Sequence, residues 1–286
     1  MQNLKPLKRF GQNYLHDKNI IQKIIEEFSP NENDIILEIG PGKGALTDLL
    51  SGKTKLYYAV EIDKRVIEDL KNKFPNVIFI NQDFLTLDFN HDLNLNLNHD
   101  LTLNHDLTLN HDLTLNLALT QQTKLRIIGN IPYNITSPIL FKLIESREII
   151  SDVLLMTQYE VAKRIVAKPN SKDYGILSVL IGYFAKPEFC FKVSRNVFYP
   201  KPNVDSAIIK IDLKKNKISN IRDELFIKVV KACFGNRRKT LKNSLTNSEL
   251  INVDLTKINF DFTRRAEQLE IEDFIYLTSQ IQKLID

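Results

Sequence analysis

Four consecutive residues, Asn130-Ile131-Pro132-Tyr133, place an amide, a rigid proline and an aromatic ring just after the apolar pair Ile127-Ile128. A strand needs no such ending, but a reaction on a flat, nitrogen-rich ring does. The exocyclic amino group of adenine is a poor nucleophile because its lone pair is delocalised into the ring. The Asn130 amide oxygen can accept one of its N–H bonds, and a backbone carbonyl near Ile131, held by Pro132, can accept the other. Acceptors aimed in advance cost no reorganisation during the reaction. Tyr133 can stack on a base turned out of its helix, a contact worth about 1–3 kcal/mol. Taken alone, Asn and Pro are ordinary turn residues, so the motif needs support from elsewhere in the chain.

That support lies upstream. The stretch 37–47, LEIGPGKGALT, follows an apolar run and opens a helical one. Gly40, Gly42 and Gly44 let a backbone turn sharply and approach a ligand without a Cβ in the way. Their spacing is G-x-G-x-G rather than the G-x-G-x-x-G of dinucleotide folds. Glu61 stands 21 residues after Gly40, where a carboxylate accepts hydrogen bonds from both ribose hydroxyls. Asp83 closes a third apolar run and can accept from an adenine amino group. Each acid alone reads equally well as a solvated loop residue. Together with Asn130 they predict a nucleoside cofactor. The glycine spacing and the lack of a diphosphate-binding lysine motif make S-adenosylmethionine the best fit.

These residues need a frame that brings strand ends together. Apolar runs at 34–40, 55–63, 77–85 and 125–133 predict strands, and the segments 45–52, 64–74 and 137–146 carry helical patterns. Residues 153–167 read as a strand running into a helix, and 189–193 with 205–213 as a closing antiparallel pair. The alternation predicts an α/β fold, a parallel sheet covered by helices. Ligands in such sheets bind beyond the carboxyl ends of the strands. After about residue 213 the pattern turns helical, so a small helical domain closes the chain.

The totals set bounds. Of 286 residues, 43% are hydrophobic and 26% charged, a globular balance. The longest apolar stretch, 176–185, falls short of the roughly 20 residues a membrane span needs. The basic amino terminus lacks the apolar core and cleavage site of a signal peptide. Cys190 and Cys233 have no metal spacing and read as thiols of a reducing cytoplasm. Net charge is only +4, yet residues 228–242 hold Lys228, Lys231, Arg237, Arg238, Lys239 and Lys242 with no acid among them. Such a block suits a phosphate backbone, although a solvated helix face reads the same way.

Residues 91–119 stand apart. The unit HDLTLN recurs, odd positions are Leu or His, and even positions are Asp, Asn, Thr or Ala118. The alternation has strand period, but Asn, Asp and Leu are weak strand formers. A weakly ordered insertion, a protruding hairpin, and a metal site from His99, His105 and His111 are the three readings, the last disfavoured because nothing brings histidines six apart together. No metal is expected, and the segment is read as an insertion spanning roughly 88–123.

With these motifs in place, Asn-Ile-Pro-Tyr resembles the N-[LI]-P-[YF] motif of ribosomal RNA adenine N6-methyltransferases. The remaining blocks resemble the bacterial small-subunit (16S) rRNA adenine N6,N6-dimethyltransferases, the kasugamycin-sensitivity family. KRFGQNYL (8–15) is similar to its amino-terminal signature, usually with Phe where Tyr14 stands. YGILSVL (174–180), VFYPKPNVDSA (197–207), FGNRRKTLKNSL (234–245) and RAEQL (265–269) are similar to its later blocks. The resemblance implies a Rossmann-like class I S-adenosylmethionine-dependent methyltransferase sheet, with a catalytic domain over 1–212 and a helical RNA-binding domain over 213–286. It makes Asn13, Leu15, Gly40, Gly42, Glu61, Asp83 and Asn130 cofactor contacts, and Asn130 and Tyr133 the catalytic pair. It likens Phe198 to the aromatic covering the other face of the target base; a core residue of a hairpin loop is the competing reading. It implies dimethylation of two adjacent adenosines in the 3′-terminal hairpin loop of small-subunit rRNA, on immature subunits, by a cytoplasmic, monomeric enzyme without membrane attachment. Two other readings stay open: a large-subunit rRNA adenine methyltransferase of the macrolide-resistance type, and an assembly checkpoint that acts mainly by binding. The block EIGPG and the RRKTLKN segment favour the small-subunit family. The insertion is the departure, and it is expected to point away from the cofactor.

Overall fold

A computed structural model describes residues 6–7, 10–93, 125–213, 220–236 and 238–286. Most of the repeat, including His99, His105 and His111, lies outside the described residues, as does Arg237.

The first elements are a two-residue strand β1 (Tyr14–Leu15) and helix α1 (Lys18–Phe28). Asp17 caps α1 by accepting from the Asn19 and Ile20 amides at 2.9 and 3.0 Å, which satisfies donors the first turn leaves unpaired. Its buried residues Ile21, Ile24, Ile25 and Phe28 recur at helical spacing, so the apolar stripe forms one face. Strand β2 (Ile35–Ile39) is buried at every position, as expected for a central parallel strand. Helix α2 (Thr47–Leu50), β3 (Leu56–Glu61), α3 (Lys64–Lys73), β4 (Ile78–Asn81) and the short α4 (Phe89–Asp92) follow. Beyond the undescribed segment come β5 (Leu125–Asn130), α5 (Thr136–Glu145), β6 (Ile150–Gln158), α6 (Tyr159–Ile165), α7 (Ile176–Phe184) and β7 (Ala185–Val193). The chain ends through β8 (Phe198–Tyr199), β9 (Ser206–Leu213), α8 (Asp223–Phe234), α9 (Leu241–Thr246) and α10 (Ile271–Ile285).

Seven strands form one sheet in the order β4-β3-β2-β5-β6-β9-β7. The pairs β2/β3, β3/β4, β2/β5 and β5/β6 are parallel. The predicted closing pair occupies β7 and β9, which are sheet neighbours. The chain steps outward from β2 through β3 to β4, then returns to the other side of β2 as β5. That reversal opens a crevice beyond the carboxyl ends of β2 and β5. Their register sets Ile39 opposite Gly129, so Gly40 and Asn130 meet at its floor. Pairs β1 and β8 make a separate two-stranded ribbon, too short to leave a periodic trace in sequence.

At the other end of β5, Arg126 joins Asp34 and Asp152 in ion pairs of 2.7 Å each. It also donates to the carbonyls of Phe28 and Ser29, at 2.6 and 3.1 Å.

The chain divides into two compact units, Met1–Gln158 with Cys190–Lys210, and Tyr159–Phe189 with Ile211–Asp286. Helices α6 and α7 group with the carboxyl-terminal helices in the second unit. Within it, Tyr183 of α7 stacks on Phe226 of α8 with centroids 3.9 Å apart, and the Tyr174 hydroxyl donates to the Leu269 carbonyl at 2.8 Å. Lys228, Lys231, Arg238, Lys239 and Lys242 are exposed on α8, the following turn and α9.

Candidate active site

In the first unit a cavity of about 390 Å³ opens at the carboxyl ends of β2, β3 and β5 and beyond β4. Asn13, Leu15, Gly40, Gly42, Glu61, Asp83, Asn130 and Tyr133 all line it. Eight residues singled out from the sequence, spread over some 120 positions, thus share one wall.

The glycine turn is shaped by two different needs. Gly42 has φ +57°, and a Cβ there would lie 3.0 Å from the Tyr14 ring. Its amide donates to Glu61 Oε2 at 3.0 Å. Gly44, at φ +80°, is required for packing instead: a Cβ would come within 2.7 Å of Phe74.

Glu61 is 5% exposed and accepts a second bond from the Asp63 amide at 2.9 Å. Burial raises its pKa, and those backbone bonds pull it back. The two amides fix the carboxylate while leaving each oxygen a lone pair for an incoming hydroxyl. Asp83 accepts from the Leu85 amide through Oδ1 at 2.9 Å, capping the turn Phe84–Thr86. Its Oδ2 has no partner among the described residues.

Asn130 carries the most informative bond. Its Nδ2 donates to the Asn13 backbone carbonyl at 2.9 Å. This fixes the amide orientation, so Oδ1 is the atom left to accept. The Tyr133 hydroxyl is bonded to Ser206 Oγ at 2.6 Å, which holds the ring in the pocket wall.

Phe198 is not brought to the site. It is 3% exposed and belongs to the core cluster with Leu15 and Ile21. In the ribbon Phe198 pairs with Leu15 and Tyr199 with Tyr14, so the two aromatics take opposite faces; Leu15 reaches the cavity lining and Phe198 does not. The core reading is the one the structure supports.

Further features of the wall emerge only in three dimensions. Gln12 donates to Asp63 Oδ2 at 2.8 Å and accepts from the Leu7 amide at 2.8 Å, tying the amino-terminal segment across the pocket to the end of β3. Asp63 also holds Arg65 at 2.6 Å; that partner and Gln12 bring its pKa down to about 2. Ile62 is 44% exposed in the pocket wall, an apolar surface suited to a flat ring. Tyr14 fills the place where the resemblance expects Phe. Its ring packs on Gly42 while its hydroxyl is buried with no hydrogen-bond partner among the described residues, as a site shaped for Phe requires. Burial pushes that hydroxyl up to about 12, with the Asp63 and Glu61 charges adding to the effect.

Glu38, in β2, is the other unforeseen wall residue. It is 2% exposed, and the Thr47 and Tyr57 hydroxyls both donate to its Oε2 at 2.6 Å. Burial pushes its pKa up to about 7, against the pull of those two bonds. The folded protein therefore keeps a proton that the unfolded chain loses near pH 4.5. The stability from this group is fully present below that pH and is lost as pH rises to about 7. At about 1.36 kcal/mol per pKa unit, the loss is roughly 3 kcal/mol. Glu38→Gln is expected to flatten this decline, read as urea midpoints at pH 4.5 and 8. Parallel declines in variant and parent would refute the assignment.

The lining of the pocket suits S-adenosylmethionine. A Cβ built on Gly40 would meet only the Asn130 carbonyl, at 3.8 Å, so the space above the glycine turn is open toward Asn130. A fixed carboxylate at Glu61, a second acid at Asp83 and the apolar Ile62 match ribose hydroxyls, an adenine amino group and a ring face. The residues present fit the group.

A family model described as ribosomal RNA adenine dimethylase matches residues 3–283. A ribosomal RNA small subunit methyltransferase A from Chlorobium phaeobacteroides is 41% identical over 279 residues, covering 97% of this chain and 92% of that protein. Among solved structures, a dimethyladenosine transferase from Plasmodium falciparum superposes with TM-score 0.73 at 25% identity, over 94% of this chain and 97% of the other. The 23S rRNA methyltransferase ErmE superposes with TM-score 0.64 at 25% identity, over 94% and 100%.

Proposed function

This chain belongs to the ribosomal RNA adenine dimethylase family, and we propose that it transfers two methyl groups to N6 of each of two adjacent adenosines in the 3′-terminal hairpin loop of small-subunit rRNA. It is an S-adenosylmethionine-dependent enzyme of Rossmann-like class I fold, and among the described residues no helix is long and apolar enough to cross a membrane. The substrate we assign is the immature small subunit in the cytoplasm, met by a monomer late in assembly.

The observation that carries this reading is the Asn130 amide in the pocket wall, oriented by Asn13 so that Oδ1 is left to accept, with no partner among the described residues. S-adenosylmethionine supplies an electrophilic methyl group on a sulfonium. Glu61, Asp83, Gly40, Gly42, Asn13 and Leu15 would hold it. Asn130 Oδ1 and the Ile131 carbonyl accept the N–H bonds of the target amino group, so its lone pair localises for attack. Tyr133, braced by Ser206, presents its ring to the base. After the first transfer N6 keeps one N–H, so the same pocket accepts the substrate again. The proton released at each step passes to water, and no side chain need act as base. In-line positioning supplies most of the rate. The exposed cations from Lys228 to Lys242 would take RNA phosphates, which positions without reading sequence.

The test is methyl transfer to under-methylated small subunits, with modified adenosines quantified by mass spectrometry. N6,N6-dimethyladenosine at two adjacent sites is the expected product. Transfer only to protein-free large-subunit RNA would replace this reading with that of the macrolide-resistance type. Tight subunit binding without transfer would replace it with the checkpoint reading.

A further inference from the structure

The β1–β8 ribbon has two faces with opposite character. Directly opposed residues of an antiparallel pair share a face. Leu15 and Phe198, opposed, are 6% and 3% exposed in the core. Tyr14 and Tyr199, opposed, face the other way. Tyr14 packs on the glycine turn at the pocket wall, whereas Tyr199 is 64% exposed. Tyr199 thus presents its ring to solvent directly across the ribbon from a pocket-wall residue.

The segment 199–206 ties this ring to the site at both ends. Tyr199 pairs with Tyr14, and Ser206 bonds to Tyr133. Side-chain braces hold the segment: Lys192 reaches Asp205 at 2.7 Å, the Arg195 amide donates to Asp205 at 3.0 Å, and the Arg195 guanidinium donates to the Asn203 carbonyl at 2.9 Å. Two cations belong to the same region of the chain and ribbon. Lys201 is exposed two residues on, and Lys43 lies 5.0 Å over the Tyr14 ring. An exposed ring on a braced segment, paired across the ribbon with a pocket-wall residue and two positions from an exposed lysine, has the make-up of a single-stranded nucleic-acid platform.

We propose that Tyr199 stacks on an RNA nucleotide flanking the target adenosine, with Lys201 and Lys43 on the adjoining phosphates. This rests on the rRNA substrate assigned above. It gives the flanking contact to the exposed member of the Phe198-Tyr199 pair.

Two measurements test it. Tyr199→Ala is expected to lower kcat/KM for under-methylated small subunits about tenfold or more, the scale of a lost base stack. Tyr199→Phe should stay near the parent, because the ring face does the stacking. S-adenosylmethionine affinity by calorimetry should change less than twofold in both. Separately, a photocrosslinking residue at position 199 should label rRNA in the bound subunit. Unchanged kcat/KM in Tyr199→Ala, an equal fall in cofactor affinity, or crosslinks to ribosomal protein alone would overturn the proposal. The crosslink needs binding but no methyl transfer, so it reads this contact even if the assigned reaction fails.

Discussion

Asn130→Ala should reduce methyl transfer by about 10²–10³-fold, the loss typical of one preorganised acceptor or donor aimed at a developing charge. The amide does two things that alanine cannot. Its Oδ1 accepts from the target amino group, and its Nδ2 bond to the Asn13 carbonyl keeps that oxygen aimed. Losing the second bond alone costs only about 1 kcal/mol, so folding should survive. Cofactor affinity should fall less than tenfold, since Glu61 and Asp83 remain. Asn130→Asp is the sharper comparison. It keeps an acceptor but sets a carboxylate against the Asn13 carbonyl, and it should be as impaired as alanine. Single-turnover rates on small subunits check both variants. Retention of more than a tenth of the parent rate by Asn130→Ala would remove the amide from the chemistry.

Arg126→Leu should destabilise the protein by about 3–5 kcal/mol, as when one partner of a buried ion pair is removed. The guanidinium makes five hydrogen bonds, two to Asp152, one to Asp34 and one each to the Phe28 and Ser29 carbonyls. It lies 4.4 Å over the Phe28 ring. Both aspartate side chains are 10% exposed, so leucine would leave Asp152 buried without its cation and Asp34 with only its bonds from Asn31. Adding Asp34→Asn and Asp152→Asn should recover most of the loss, because a neutral amide tolerates burial better than an unpaired charge. The urea midpoint at unchanged slope is the readout. A loss below about 1 kcal/mol would mean that solvent reaches the aspartates. Arg126 lies near the start of β5 and Asn130 ends it, so the folded fraction of this variant should keep its cofactor affinity.

These two residues show what a linear reading reaches. Asn130 was legible because its motif sets an amide, a proline and an aromatic ring side by side in one short stretch. Glu61 and Asp83 were legible because each closes an apolar run, and strand ends in a parallel sheet converge by topology. Arg126 was not legible. In sequence it is one cation inside an apolar strand, and its partners lie 92 and 26 positions away. Gln12 and Asp63 escaped for the same reason, being 51 positions apart.

The Phe198-Tyr199 pair marks the boundary. The chain alone shows two adjacent aromatics before a proline and cannot say which one is buried. Pairing with Tyr14-Leu15 decides it, because the register turns Phe198 to the core and leaves Tyr199 bare. Local spacing along the chain thus determined the α/β class, the glycine turn and the identity of the acids and amide at the strand ends. Tertiary structure alone decided how the Asn130 amide is turned, why Glu38 holds its proton and which aromatic meets solvent. Each of those depends on a neighbour far away in sequence, whose position exists only once the sheet has closed.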